Sequence, residues 1–338
     1  MNSETQKNNG IQIFLIDVFF LWYILITFDR IILPEFLGYS PLQGTEIQLG
    51  YIVASIIIAL VLRKIQASAG AYIFSHSTSS LGKKIIQNIF WIAFCSSIIA
   101  GWILTKISPV DFFSAKGLQG ASNIFTALST PELSIFDIAL KALIETVYIA
   151  LTATVIALPP SFLLSFLSAR TLMKNNPISF SIYTVVRVLA NFSRSIEPLI
   201  WAIIFSVWVG IGPFAGMLAL MVHTVASLTK QYSEQIEDID NGPVEAIEAT
   251  GAHPLQVIYY AIVPQIVLPF LSFTIYRWDI NVRMATIIGL VGGGGIGTML
   301  MQYQGLAQWH EVGLIILMIA FVVWVMDYVS ARVREGLR

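Results

Sequence analysis

The chain has 338 residues, 56% of them hydrophobic and only 12% charged, with a formal net charge of -1. Soluble domains carry about 25% charged residues, so a soluble globular fold is excluded and an all-α integral membrane protein is expected. The basic residues form no nucleic-acid footprint, and the lone cysteine, Cys95, rules out an internal disulfide or a thiolate metal cluster.

Apolar stretches of about 20 residues are long enough to cross ~30 Å of hydrocarbon. Eight candidates occur, at 11–33, 47–62, 85–105, 137–166, 196–211, 213–230, 264–290 and 311–331. The first has Lys7 ahead of an apolar run, as a signal peptide would. Asp17 interrupts it, however, and no small-residue cleavage site follows, so it reads as a retained helix. The second is short and could be re-entrant. The fifth and sixth are separated by the turn signal Gly-Ile-Gly-Pro. The chain thus divides into two N-terminal spans (1–70), a span followed by a long loop (71–136) and the remaining spans (137–338).

Lys and Arg set the orientation, because they accumulate in cytoplasmic loops. With the N-terminus cytoplasmic, Lys7, Arg63, Lys64, Lys83, Lys84, Arg170, Lys174, Arg187, Arg194, Lys230, Arg332, Arg334 and Arg338 fall inside. Only Arg30, Lys106 and Lys116 fall outside. Both termini are therefore expected in the cytoplasm, together with the loop 231–263. The loop 106–136 and the glycine-rich turn after 291 face outward.

The cytoplasmic loop predicts two helical limbs. Asn241 or Gly242 can cap the first, Pro243 suits its first turn, and Glu245 lies where a negative charge meets the positive helix end. Gly251 is a natural stop, and His253-Pro254 opens a second limb that Pro264 limits. A first limb of about eight residues is marginal alone in water, so it must dock, either on its own subunit or in a partner's groove. Ala246, Ala249, Gly251 and Ala252 keep its surface small. The acidic residues Glu234, Glu237, Asp238 and Asp240 ahead of it form either a solvated face or a contact for a basic partner.

This loop resembles the EAA loop of ABC-importer membrane subunits: E-A-A, three residues, G, nine residues, then I-x-L-P. Here stand Glu245-Ala246-Ile247, Gly251 and Ala261-Ile262-Val263-Pro264, with apolar replacements at 247, 261 and 263. The run Tyr276-Arg277-Trp278-Asp279-Ile280-Asn281-Val282-Arg283, followed by the glycine-rich stretch from Gly289 to Gly297, is similar to the permease subunits of phosphonate importers. "IETVYIALTAT" (144–154) and "VVRVLANFSRSIEPLIWAIIF" (185–205) also resemble that family, so the likeness covers 137–331.

The resemblance implies a type I ABC-importer bundle like that of methionine permeases, acting as a homodimer. Two ATP-binding subunits would hold the coupling loop, and a periplasmic binding protein would deliver phosphonate, phosphite or phosphate. ATP and magnesium would belong to the ATPase, and this chain would hold no cofactor and catalyse no reaction. Methionine or another small solute is the alternative cargo. An ion-coupled secondary transporter, with Asp279 as carrier, is a further alternative, although the inverted repeats such folds display are not evident.

Arg277, Asp279, Asn281 and Arg283 are charged or polar groups within a predicted span, where each charge costs roughly 2.5–3.5 kcal/mol on insertion scales. Asp279 and Arg283 are spaced to pair on one helix face, and Arg277 could meet Glu145 of another helix. Alternatively these groups line a water-filled passage, where a guanidinium would engage two oxygens of an oxyanion. The glycines 292, 293, 294, 295 and 297 do not make a phosphate-binding loop, since Gly297 is followed by Thr298 and no lysine. Gly292, Gly293, Gly294, Gly295 and Gly297 form a turn between spans or a bare surface where two subunits meet at an outer gate. His76, His223, His253 and His310 have no metal-ligand spacing, and no metal is expected.

Overall fold

The computed structural model describes residues 3–38, 40, 44–65, 67–74, 80–174 and 176–336; His76 and Arg338 lie outside that set. The described residues are helical or in turns. The chain divides into two compact units, Met1–Leu118 and Gln119–Arg338.

The first unit contains α1 (Ser3–Thr27), a π-turn (Phe28–Ile32), α2 (Leu33–Leu37), α3 (Thr45–Lys64), α4 (Ala69–Phe74), α5 (Ser80–Thr105) and α6 (Pro109–Phe112). Asp17 of α1 is buried and accepts hydrogen bonds from Ser68 Oγ (2.5 Å) and the Gly70 N–H (2.9 Å). The charge that interrupts the first apolar run therefore caps the short helix α4. Gly70 has no room for a side chain, because a Cβ would lie 2.4 Å from the Ile13 carbonyl oxygen.

Helix α7 (Ala115–Ser129) crosses the boundary between the units. The second unit continues with a 3-10 turn (Leu133–Ile135), α8 (Phe136–Leu167), α9 (Arg170–Met173), α10 (Pro177–Ser195), α11 (Pro198–Val209) and α12 (Pro213–Glu237). It ends with α13 (Asn241–Glu248), α14 (Pro254–Val257), a π-turn (Ile258–Ile262), α15 (Val263–Gly289), α16 (Gly295–Gly305) and α17 (Trp309–Gly336).

Helix α8 is the axis of this unit and packs on α12, α15 and α16. Its Ala139, Ala150, Ala153 and Ala157 are wholly buried, as are Ala215 and Ala219 of α12. Small residues let helix backbones approach closely where no hydrophobic drive toward water-exclusion exists. Three buried clusters form the unit's core: Ile149, Phe205, Leu220 and Val282 among others in one, Leu143, Ile296 and Ile315 in a second, Leu228, Tyr232, Ile266 and Phe270 in a third. Large apolar side chains such as Val207, Trp208, Phe321 and Trp324 remain exposed, as expected of surfaces that meet lipid.

The expected count of eight spans is not reproduced. Among the described residues, five helices are long and apolar enough to cross a membrane: Thr45–Lys64, Leu81–Thr105, Leu133–Leu167, Pro254–Gly289 and Trp309–Gly336. A sixth is reached only by joining α10 to α11, which meet at 92°. The predicted span 196–211 fails because α11 has 12 residues, ~18 Å at 1.5 Å per residue. The second segment, read as short, is a full helix of 20 residues. The segment 106–136, expected as a loop, is largely helical in α6 and α7.

Candidate functional site

Three regions singled out by the sequence all lie in the second unit. The first is the projection made by α13 and α14. Helix α13 has 8 residues, none of them buried. Its cap is Asp240, not Asn241 or Gly242: the carboxylate accepts the Gly242 N–H at 3.0 Å. Gly251 ends the limb at φ +77°, the left-handed conformation that favours glycine, with open space around it. The second limb opens with a reciprocal cap, in which His253 Nδ1 accepts the Leu255 N–H (3.3 Å) and Gln256 Oε1 accepts the His253 N–H (2.8 Å).

Pro264 does not limit that limb. The chain stays helical from Pro254 to Gly289. Proline lacks an N–H and clashes with the carbonyl four residues back; the π-turn at Ile258–Ile262, closed by the Val263 N–H on the Ile258 carbonyl, widens the helix just ahead of it. The projection is anchored from both sides: the Asp240 N–H donates to Gln265 Oε1 (3.1 Å), and Gln265 Nε2 donates to the Asp240 carbonyl (3.3 Å). Of the predicted residues, Glu245, Ala246, Ala249 and Gly251 are exposed on it and Ala252 is half-buried, while Pro264 lies inside the long helix. Sequence reading missed Asp240 and Gln265, although an Asp ahead of Asn-Gly-Pro is a cap signal.

The second region is the charged stretch of α15, where Asp279 is 2% and Asn281 0% exposed. Asp279 pairs with Arg283, one turn on. Arg283 Nη2 also reaches Asp327 of α17 at 3.0 Å, a partner that no local spacing could reveal. Asn281 Nδ2 donates to Thr154 Oγ1 (2.8 Å) and Thr224 Oγ1 (2.9 Å), tying α15 to α8 and α12. Arg277 is 8% exposed and does not meet Glu145; the Glu145 carboxylate instead accepts the Gly295 N–H at 3.3 Å.

The third region is the glycine run. Gly292 and Gly294 have φ of +90° and +81°. The close approaches that demand glycine lie within the chain. A Cβ on Gly293 would lie 2.2 Å from Ile288 Cγ2, one on Gly295 2.3 Å from Thr146 Oγ1, and one on Gly297 2.0 Å from the Thr286 carbonyl oxygen. The Ile296 N–H donates to Thr146 Oγ1 at 2.8 Å. Gly216, outside the run, completes the packing against the Gly293 carbonyl. Among the described residues no group of three or more His, Cys, Asp or Glu could hold a metal ion.

An apolar helical bundle agrees with the comparisons. Residues 161–336 match the family of binding-protein-dependent transport system inner membrane components. The chain belongs to that family. Its relatives include a phosphite transport system permease protein, PtxC, of Stutzerimonas stutzeri, 35% identical over 244 residues, covering 72% of this chain and 86% of the relative. A putative cryptic phosphonate transport system permease protein, PhnE2, of Escherichia coli strain K12 is 41% identical over 119 residues, covering 35% of this chain and 98% of that one. A chain of the MetNI methionine ABC transporter, solved in inward-facing conformations, superposes with a TM-score of 0.52 at 21% identity, covering 61% of this chain and 99% of that one. That likeness is one of fold: an all-helical importer permease of the methionine-permease type. The chain is thus a multi-pass inner-membrane permease subunit and a transporter component, not an enzyme. Family membership leaves the ion-coupled reading without support, and Asp279, its proposed carrier, is committed to Arg283.

Proposed function

We propose that this permease carries a phosphorus oxyanion, phosphite or a phosphonate, into the cell, driven by a separate ATPase that grips α13. The observation that carries the reading is α13 itself, a helix of 8 residues with no buried residue. A helix that short does not persist unaided; here it is capped by Asp240 and held through Gln265. A rigid, small-surfaced handle suits insertion into a partner's cleft. The cargo follows from the phosphite and phosphonate permeases among the relatives.

In this reading two copies of the chain pair in the membrane, each holding one ATPase subunit through Glu245, Ala246, Ala249, Gly251 and Ala252. ATP and magnesium bind the ATPase, and a periplasmic protein delivers the oxyanion on the opposite face. Both termini and α13 are cytoplasmic. Arg277 serves the passage, and Asp279 and Arg283 lie two and six residues further along the same helix, joined to Asp327 of α17.

The test is uptake of phosphite, methylphosphonate, phosphate and methionine by proteoliposomes holding the permease with its ATPase and binding protein. Uptake of a phosphorus oxyanion that requires ATP and the binding protein is expected, with methionine ignored. Methionine uptake without oxyanion uptake overturns the cargo, and uptake independent of any ATPase overturns the mechanism.

A further inference from the structure

Helices α10 and α11 meet at 92°, and the break between them holds Ile196 and Glu197. Helix α11 starts there in the apolar bundle, with Pro198 at its first turn and no side chain capping it. An uncapped helix N-terminus carries roughly +0.5 of an elementary charge. Broken helices inside membranes present such ends to anionic substrates. A helix end alone would not make a site.

The second observation is Arg277. It is 8% exposed, and among the described residues it makes no hydrogen bond or ion pair, its Nε being fully enclosed. A buried guanidinium without a hydrogen-bonded counter-charge is strongly unfavourable unless something else supplies one. Its electrostatic neighbours sit at the break, since it acts on Glu197 and on His223 of α12. His223 Nδ1 lies 3.2 Å from the Ile196 carbonyl. A carbonyl only accepts, so Nδ1 carries the hydrogen, and Nε2 of the neutral ring is an acceptor that can take the hydrogen of a P–OH group. Arg194, the last basic residue of α10, also acts on His223.

We infer that the α10–α11 break is an anion-binding station, in which Arg277, His223 and the first turn of α11 receive the phosphorus oxyanion during transit. Arg277 supplies two parallel donors to two oxygens, and the helix end supplies a fixed positive pole. Glu197 is the acid at the break, and it holds the net charge low enough for the anion to leave. The inference rests on the reading of the chain as an oxyanion permease and names the residues that touch the cargo.

The experiment uses the complete complex, with ATPase and binding protein, in proteoliposomes. Phosphite uptake, ATP hydrolysis stimulated by phosphite-loaded binding protein, and assembly by size-exclusion chromatography are measured together. Arg277→Gln is expected to lower uptake at least tenfold while assembly and stimulated hydrolysis stay within twofold of wild type, and Arg277→Lys to recover part of the uptake. Should Arg277→Gln fail to assemble, His223→Phe, at a half-buried position, carries the test through a severalfold loss of uptake in an assembled complex. Wild-type uptake by an assembled Arg277→Gln or, in that second case, by His223→Phe overturns the station alone. A wild-type complex that moves no phosphorus oxyanion overturns the cargo reading, and the station with it.

Discussion

Glu237, the last residue of α12, accepts hydrogen bonds through one carboxylate oxygen from both Arg187 Nη1 at 2.9 Å and the Arg170 N–H at 2.7 Å. Arg187 also donates to Tyr183 Oη at 2.9 Å. One acid therefore joins α10, the start of α9 and the helix that leads into α13. Charge-assisted bonds of this kind contribute about 1.5–3 kcal/mol when partly buried. Glu237→Ala is expected to lower the thermal midpoint of the purified permease in detergent, and Glu237→Gln, which keeps an acceptor oxygen, to lower it less. Equal midpoints for both variants and wild type would show that the bridge contributes nothing.

A buried tie of another kind holds the middle of the bundle. Asn281→Ala strands the Thr224 hydroxyl and removes a donor from Thr154, whose own hydroxyl still donates to the Ala150 carbonyl at 2.7 Å; both threonines are 2% exposed or less. Leaving buried polar groups unpaired costs about 1–3 kcal/mol, whereas replacing all partners by apolar groups of like shape is nearly neutral. The single variant should unfold at a lower temperature, and the triple variant Asn281→Leu, Thr154→Val, Thr224→Val should recover most of the loss. A triple variant less stable than the single one would refute this account.

The glycine turn predicts a sharp contrast between neighbouring positions. Gly297→Ala would place a Cβ 2.0 Å from a backbone oxygen, while Gly305 has nothing within 4 Å. Overpacking costs typically 1–3 kcal/mol when neighbours can shift, and a backbone carbonyl shifts little. Gly297→Ala should sharply reduce the yield of monodisperse protein, and Gly305→Ala should leave it unchanged. Similar yields for both would argue against the close packing of Thr286 on Gly297.

The projection can be broken without touching the bundle. Gly251 has φ +77° and open surroundings, so any effect of substitution comes from backbone conformation alone. Proline, locked near φ -65°, cannot adopt it. Gly251→Pro and Glu245→Lys should both leave thermal stability near wild type and sever ATP hydrolysis from uptake in the reconstituted complex. Normal coupling in both would remove α13 from the mechanism.

Much of this arrangement is legible in the chain because it is local. Gly251 ending a limb, His253-Pro254 opening the next, and the Asp279–Arg283 pair each depend on residues within one turn of one another. What escaped is non-local. Asp327 lies 44 positions from Arg283, and Gln265 lies 25 from Asp240, so no periodicity announces either contact. Pro264 misled for a different reason. A proline normally ends or kinks a helix, yet one residue of extra winding ahead of it keeps the rod continuous, and that device leaves no compositional mark. The 92° bend between α10 and α11 was hidden because Glu197-Pro198 reads equally well as the start of a separate span.

The run from Gly289 to Gly297 presses α15 against α16, and Thr146 of α8 is pinned to the Ile296 backbone at the same spot. Three helices are riveted there through glycine backbone and the Thr146 hydroxyl, with no long side chain between them to slide. In the proposed transport cycle, helices joined so closely would travel as one block. The hinge of that cycle would fall where such rivets are absent, and the 92° elbow between α10 and α11 is one such place.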